Sequence, residues 1–220
     1  MPNLVGLTVA ADPAAWRDAG FAVEGEECRI GSVVVRLVGG AAGRGIVGWE
    51  VAGLMSTELD GLPTRDAPAP VEEAAPVAHP NRALVLDHVV VSTPDPDRTF
   101  AALEAAGLEL RRVREAGRPE APLRQGFFRA GEAILEVVGP AGDDPAAPAR
   151  FWGLVVVVED LDACAALLGD RLGAARDAVQ PGRRIATVRR EAGLGTRVAF
   201  MTPRPEGRRA SNDPPSESGS

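Results

Sequence analysis

The chain has 220 residues, a formal net charge of −7 and a pI near 5.0. This acidic balance argues against a nucleic-acid partner, because nucleic-acid binding needs a basic surface and no basic patch occurs before the last residues of the chain. Apolar residues make up 45% of the sequence, enough to form a packed core in one large domain or two small ones.

Several features bear on the cellular compartment. Residues 1–11 lack the basic stretch of a secretory signal, and no apolar run approaches the ~20 residues needed to span a membrane. Cys28 and Cys164 are far apart and not in a CxxC motif, which favours a reducing environment. Lysine and tyrosine are absent, a bias typical of GC-rich bacterial genomes. We therefore expect a cytoplasmic bacterial protein, with no membrane partner.

Residues 4–54 contain a compressed βαβββ pattern. The strand LVGLTVA precedes a short helix with Asp12 as N-cap, Pro13 at its first position and Gly20 as its stop. Three strands, FAVEG, ECRIG and VVVRLVGG, are predicted next, followed by a fourth, GIVGWEVAGL. We predict an N-terminal unit over residues 1–62, in which one half-barrel is present and its partner is reduced to about one strand. Residues 63–82 are predicted to form a linker, and residues 64–78, rich in Pro, Ala and Glu, to lack regular structure.

The clearest unit covers residues 86–140. It begins with the strand LDHVVVS and continues with a helix that Asp95 caps and Gly107 ends. The segments LELRRVRE, RQGFFRAG and AILEVVGP are predicted to be three further strands, so the unit is βαβββ.

The same pattern recurs in residues 151–203. The segment FWGLVVVVEDLD aligns without a gap with LDHVVVSTPDPD, and VAFMTP aligns with the end of ILEVVGP. Asp160 is the predicted N-cap, and strands are predicted over 174–179, 184–190 and 197–201. We predict one domain over residues 83–203 and a disordered tail over 204–220, which is rich in Pro, Ser, Gly and charged residues.

Tandem βαβββ units with these openings and endings resemble the vicinal-oxygen-chelate superfamily, the glyoxalase, bleomycin-resistance and dioxygenase group. The resemblance covers residues 86–203 well and residues 4–54 weakly. It implies an α+β fold in which the two units pair to form a cupped, incomplete barrel. The N-terminal unit, which lacks a complete partner, is expected to pack on the outside or to pair across a homodimer, so the chain is expected to be a monomer or a homodimer.

His88 and Glu136 are the best candidates for a functional pair. Alternation along a strand predicts that His88 shares a face with Leu86 and Val90, and Glu136 with Ile134. A histidine and a carboxylate at apolar-facing positions cost several kcal/mol unless they are paired or coordinated. The resemblance implies that both are ligands of a divalent metal such as Fe, Mn, Zn or Ni, with Glu136 also a candidate catalytic base.

The repeat weakens the metal hypothesis. His88 aligns with Gly153 and Glu136 with Ala199, and neither of these can bind a metal ion. Two protein ligands rarely hold a divalent ion, since three or four are usual. The alternative is a hydrogen-bonded pair that lines a ligand pocket.

Several other residues are candidates for the lining of the same pocket. His79, in the sequence AHPN, is either a third ligand or general base, or simply a turn residue. Five residues could line a pocket for an organic anion or a flat ring, or could be plain core and surface residues: Trp49, Arg124, Gln125, Phe128 and Trp152. Arg183 and Arg184 follow a Pro-Gly turn and fit a solvated hairpin.

Three classes of function follow. The favoured hypothesis is a protein that binds a small oxygenated organic molecule in the barrel, with an incomplete metal site. The alternative is a divalent-metal-dependent lyase, isomerase or dioxygenase that uses His88 and Glu136. The third hypothesis is an interaction module whose pocket has closed, because a fold alone does not determine function.

Overall fold

The computed structural model describes residues 1–68, 75–140 and 147–205, which form thirteen β-strands and three α-helices. The helices are α1 (Pro13–Asp18), α2 (Pro96–Ala105) and α3 (Leu161–Leu168). The strands are β1 (Asn3–Val9), β2 (Glu27–Ile30), β3 (Val33–Leu37), β4 (Ile46–Ala52), β5 (Thr64–Ala67), β6 (Ala83–Ser92), β7 (Glu109–Arg118), β8 (Ala121–Ala130), β9 (Ala133–Pro140), β10 (Arg150–Val158), β11 (Arg176–Asp177), β12 (Arg184–Thr187) and β13 (Arg197–Met201).

The two long βαβββ units form one eight-stranded, curled sheet in the order β11-β12-β13-β10-β6-β9-β8-β7. The first strands of the units, β6 and β10, lie side by side and antiparallel. Each first strand is also parallel to the last strand of its own unit, β6 to β9 and β10 to β13. The predicted pairing of the two units, and the α+β class, are confirmed.

The eight-stranded sheet has two faces with different roles. On one face, which we call the packing face, lie α2 and buried residues such as Phe128, Leu135 and Phe200. The other, which we call the cup face, carries His88 and a small apolar cluster of Val155, Ala199 and Met201. The predicted caps hold the helices: the side chains of Asp12, Asp95 and Asp160 each accept backbone N–H bonds at an N-terminus.

The N-terminal segment forms a separate five-stranded sheet in the order β2-β3-β1-β4-β5. Strand β1 is parallel to β3 and antiparallel to β4, as β6 is parallel to β9 and antiparallel to β10. Strand β5 is parallel to β4, as β13 is to β10. The N-terminal sheet thus repeats the centre of the larger sheet, and the reduced partner half has two strands rather than about one.

Two predictions for the N-terminal region are wrong. Thr64–Ala67 was expected to lack regular structure, but it forms β5 because the outer edge of β4 offers unpaired backbone groups. The segment FAVEG was expected to be a strand, but only Glu24 makes an isolated bridge, with Glu27. Phe21 instead packs into the core, with its ring 4.8 Å from Trp16 and 5.8 Å from Phe200. Residues 75–78 have no regular structure, whereas 69–74 and 206–220, where the rest of the linker and most of the tail were predicted, lie outside the described residues.

One continuous hydrophobic core joins the two sheets. The ring of Trp49 on β4 lies 5.5 Å from Phe151 on β10, and Trp16 Nε1 donates a hydrogen bond to the Leu194 carbonyl at 3.2 Å. The N-terminal sheet therefore packs on the packing face of the larger sheet within the same chain. Among the described residues, no helix is long and apolar enough to cross a membrane.

Candidate functional site

A β-bulge brings Asp87 and His88 to the cup face together. The pairing of β6 with β10 shifts register between His88, which lies opposite Val155, and Leu86, which lies opposite Val156. Asp87 is therefore an extra residue of β6 with no partner on β10. As a result Leu86 faces the buried core. The expectation that His88 shares a face with Leu86 is wrong, because strict alternation does not hold across a bulge, whereas His88 and Val90 do lie on one face.

His88 and Glu136 meet on this face. His88 Nε2 lies 3.6 Å from Glu136 Oε2, and both side chains are mostly buried. Gln125 Nε2 donates a hydrogen bond to Glu136 Oε1 at 2.9 Å, and Arg114 Nε donates one to Gln125 Oε1 at 2.9 Å. Strands β9, β8 and β7 thus supply one polar arm that leads from the centre of the cup to its wall.

A second polar arm comes from the opposite half of the sheet. Arg183 Nη1 lies 2.8 Å from Asp87 Oδ1, and Asp87 Oδ2 lies 2.8 Å from His88 Nδ1. Arg183 Nε also donates a hydrogen bond to the Thr202 carbonyl at 2.8 Å. We call the whole series Arg183, Asp87, His88, Glu136, Gln125 and Arg114 the polar chain. It crosses the cup face from the hairpin before β12 to β7.

The ionisation of Asp87 fixes the hydrogen bonding of His88. Burial raises the pKa of the Asp87 carboxyl, but the hydrogen bond with His88 and the positive charge of Arg183 outweigh burial and hold that pKa below its ordinary value. A carboxylate only accepts hydrogen bonds, so His88 Nδ1 carries the proton. In the neutral imidazole, Nε2 is then an acceptor, and it points towards Glu136 and the cup.

Arg183 is the member of the polar chain that the sequence interpretation missed. It was expected in a solvated turn, but it is 2% exposed. Its Nη2 has no hydrogen-bond partner in the described part of the chain, and its Nη1 contacts Asp87 without hydrogen-bond alignment. The sequence feature that indicates burial of Arg183 is its position two residues before the apolar Ile185, which packs against the cup-face cluster. Arg184, by contrast, is half exposed and pairs with Asp162 at 3.0 Å.

The described residues supply two candidate metal ligands, His88 and Glu136, which is fewer than the three or four that usually hold an ion. A separation of 3.6 Å would suit two ligands of one ion, but the registers place Gly153 and Ala199 at the equivalent positions of the other half. Within residues 1–68, 75–140 and 147–205, no group of three or more His, Cys, Asp or Glu residues is arranged to hold a metal ion.

The structure brings Gln125 to the cup but not Phe128. Phe128 lies on the packing face, with its ring 5.7 Å from Phe100 of α2. Its neighbour Phe127 lies opposite Glu136 in the strand register and takes the cup position. Arg124 lies on the same side as Phe128, where it pairs with Asp97.

The two strand tryptophans have different surroundings. Trp49 is buried between the sheets, and its Nε1 donates a hydrogen bond to Thr64 Oγ1 at 2.7 Å. Trp152 is 49% exposed, and the Arg197 guanidinium lies 4.5 Å from its ring centre. Alternation places Arg197 on the same face as Ala199 and Met201, so Trp152 and Arg197 stand at the rim of the cup.

His79 is not brought to the cup. Its Nδ1 accepts a hydrogen bond from Ala22 N at 3.0 Å, and its Nε2 lies 2.9 Å from the Arg29 carbonyl, to which it donates. Burial lowers the pKa of His79, and the Arg29 carbonyl opposes that shift only in part. His79 therefore connects the end of the linker to the N-terminal unit.

No family model and no curated protein matches the chain, but solved structures do. A triple mutant of 4-hydroxymandelate synthase from Streptomyces coelicolor is similar over 91% of this chain and 92% of that one, with 14% identity and a TM-score of 0.62. The methylmalonyl-CoA epimerase from Mycobacterium tuberculosis matches 56% of this chain and 91% of its own, with 22% identity and a TM-score of 0.44. A Streptomyces coelicolor methylmalonyl-CoA epimerase in complex with 2-nitronate-propionyl-CoA matches 53% of this chain and 95% of its own, with 20% identity and a TM-score of 0.41.

The synthase similarity extends over almost the whole chain, including the N-terminal sheet, and at 14% identity it concerns the fold alone. The curled eight-stranded sheet, with its two first strands side by side, has the same architecture. This chain therefore has the fold of the 4-hydroxymandelate synthase structure, a curled sheet of paired βαβββ units, which is the fold that the sequence resemblance implied.

Proposed function

We propose that the cup binds a small oxygenated organic molecule at His88 and Glu136, without a resident metal ion. The observation that carries the proposal is the contact of His88 Nε2 with Glu136 Oε2 at 3.6 Å on the cup face. Apolar residues such as Val90 and Val155 surround this pair, and a few convergent polar groups in an apolar concavity are typical of a ligand site.

The pair is suited to a ligand that donates hydrogen bonds. With Nδ1 protonated towards Asp87, Nε2 of His88 faces the cup and is an acceptor when the imidazole is neutral, and the Glu136 carboxylate offers another acceptor beside it. Two acceptors 3.6 Å apart have no hydrogen between them, and the hydroxyl group of a ligand can donate a hydrogen bond to one of them. Gln125 holds the other oxygen of Glu136 and so fixes the direction of the carboxylate.

A metal-dependent lyase, isomerase or dioxygenase is the second candidate function. It is favoured by the placement of His88 and Glu136 on the first and last strands of one unit, the positions at which the resemblance implies metal ligands. The remaining ligands would have to come from water, from another subunit or from residues outside those described.

A direct test is a ligand screen by saturation-transfer NMR with EDTA present throughout. The panel contains small hydroxy, oxo and carboxy compounds, including catechol, glycolate and pyruvate. We expect hits that are lost in His88→Ala and Glu136→Gln. The matched control is Arg65→Gln, an exposed strand residue of the N-terminal sheet, in which the same hits should persist.

Other outcomes would decide between the candidate functions. Stoichiometric metal in the natively purified protein that disappears in both His88→Ala and Glu136→Gln would replace this proposal with the metal-dependent enzyme. No hit in wild-type protein and no metal would leave the closed interaction module as the better interpretation.

A further inference from the structure

We propose that the ligand of the cup is an organic anion, with its acidic group at Arg112 and Arg129 and its apolar body against Phe127. This inference rests on the proposed function, because it assumes that the oxygenated end of the ligand lies at His88 and Glu136. It adds the charge and the orientation of the ligand, which the polar pair alone does not determine.

The first argument is the order of side chains along one row of the sheet. The strand registers place Val90 beside Glu136, Glu136 opposite Phe127, and Phe127 opposite Arg112. Directly opposed residues share a face, so the row runs from an apolar side chain to an acceptor, an aromatic ring and a cation. A molecule lying along this row meets those groups in that order.

The second argument is the concentration of arginines around Phe127. Arg129 lies two residues along β8 from Phe127, and Arg114 lies two residues along β7 from Arg112, so alternation places all three arginines on the cup face. Arg112 and Arg129 are exposed, and their guanidinium groups make no ion pair or hydrogen bond with any residue that the structure describes. Two unpartnered guanidinium groups beside an aromatic ring are suited to a carboxylate or a phosphate.

Neighbouring carboxylates do not neutralise the positive charge of Arg112, Arg114 and Arg129, which we call the positive wall of the cup. Glu109, which lies opposite Arg129, is already engaged by Arg111 at 2.7 Å. Glu136 and Asp87 lie further into the cup and belong to the polar chain. The chain as a whole has a net charge of −7, so the positive wall of the cup contrasts with the rest of the surface and would attract anions from solution.

The third argument is Arg183, on the other side of His88. Its side chain is 2% exposed and lies on the cup face by alternation with Ile185, and its Nη2 has no hydrogen-bond partner within the described ranges. Asp87 balances the charge of Arg183, and Nη2 remains a buried donor in the floor of the cup. Arg183 therefore keeps Asp87 from adding an unbalanced negative charge beside an anionic ligand.

The spacing also limits the size of the ligand. Glu136 and Arg112 are separated by two strand spacings, about 10 Å between backbones. A body of one ring with a hydroxyl at one end and an acidic group at the other bridges this separation. Longer ligands would extend past Arg112, where β7 is the last strand of the sheet.

The test compares an acid with its amide. Binding of 4-hydroxybenzoate, its neutral counterpart 4-hydroxybenzamide, and benzoate is measured on the full chain by NMR titration. We expect the acid to bind about tenfold more tightly than the amide, with its advantage reduced at high salt. Arg112→Gln and Arg129→Gln should each weaken the acid about fivefold and leave the amide unchanged. Benzoate has no hydroxyl group, so it should bind more weakly than 4-hydroxybenzoate because it makes no hydrogen bond with His88 or Glu136.

Arg65→Gln, which removes an exposed strand arginine far from the cup, is the matched control and should change nothing. Equal binding of acid and amide, or equal affinities in Arg112→Gln and Arg65→Gln, would overturn the inference. Absence of acid binding by the wild-type protein would overturn it as well. In each case the proposed function stands if the ligand screen still finds neutral hits that depend on His88 and Glu136.

Discussion

The two halves of the eight-stranded sheet have the same topology but different chemistry on the cup face. In the first half, β6 and β9 present His88 and Glu136; in the second, β10 and β13 present Gly153 and Ala199 at the equivalent register positions. The packing faces, by contrast, are alike, since the equivalent positions Val137 and Phe200 are both apolar and fully buried. The repeat therefore preserves what the core needs and varies what the cup offers to a ligand.

The halves are also complementary. Asp87 belongs to the first half, and its cation Arg183 comes from the hairpin before β12 of the second half. A buried carboxylate without this partner would be costly, so the polar groups of one unit depend on the other. The site is a property of the paired units rather than of either βαβββ unit alone.

The largest expected effect tests the shared packing face. Phe128→Ala and Phe200→Ala should each lower the free energy of unfolding by about 4 kcal/mol, because both rings are fully buried and a cavity would remain. Phe127→Ala, one residue away but half-buried on the cup face, is the control and should cost clearly less. Urea denaturation followed by circular dichroism gives the comparison. A Phe127→Ala loss as large as that of Phe128→Ala would contradict the assignment of faces.

The next effect tests the dependence of one half on the other. Arg183→Leu should destabilise the protein by about 3 kcal/mol, because it leaves the buried Asp87 carboxylate without its cation. The double variant Asp87→Asn with Arg183→Leu should recover most of that loss, and a double-mutant cycle measures the coupling. Additive losses would mean that the two side chains do not depend on each other.

Gly153→Ala tests whether the second half can hold a side chain at the position equivalent to His88 of the first half. A Cβ at Gly153 would lie 2.6 Å from the Arg197 carbonyl oxygen, and backbone cannot easily give way, so we expect a loss of about 2 kcal/mol. Gly40→Ala is the control, since a Cβ there meets nothing within 4 Å. Thermal unfolding of the two variants should differ, and equal stability would show that the strand pair can open.

His88→Ala should have a smaller effect on stability than on binding. Its loss removes hydrogen bonding to Asp87, but Asp87 keeps Arg183 and Glu136 keeps Gln125, so we expect about 1 kcal/mol. Ligand binding in the NMR screen should be abolished. Full binding in a folded His88→Ala protein would return His88 to a purely structural role.

The smallest expected effect concerns His79, the histidine outside the polar chain. Because burial lowers the pKa of His79, the unfolded chain binds a proton there more readily than the folded chain does. Stability due to His79 is therefore complete above the ordinary imidazole pKa of 6.5 and falls as the pH drops below it. Denaturation of wild type and His79→Gln at neutral and mildly acidic pH should show a shallower pH dependence in the variant. An unchanged dependence would mean that His79 titrates normally.

Local pattern was enough to predict much of the fold. Asp12, Asp95 and Asp160 were identifiable as caps because a short acidic side chain before a helix has few other roles. The alignment of the two long units predicted the equivalence of His88 with Gly153 and of Glu136 with Ala199, which the strand registers reproduce. These features depend on residues close in sequence or on a repeat, so a single chain reveals them.

Other features depended on partners distant in sequence, and only the tertiary structure decided them. The bulge at Asp87 reverses the face of Leu86, and no period-two pattern indicates where a bulge occurs. Thr64–Ala67 became a strand because β4 left an edge unpaired, although its composition favoured a linker. Arg183 looks like a turn residue until the sheet closes and places Asp87 beside it. The sequence alone showed the helix caps, the repeat and which residues are polar, but burial and pairing across the sheet determined which of these residues form the site.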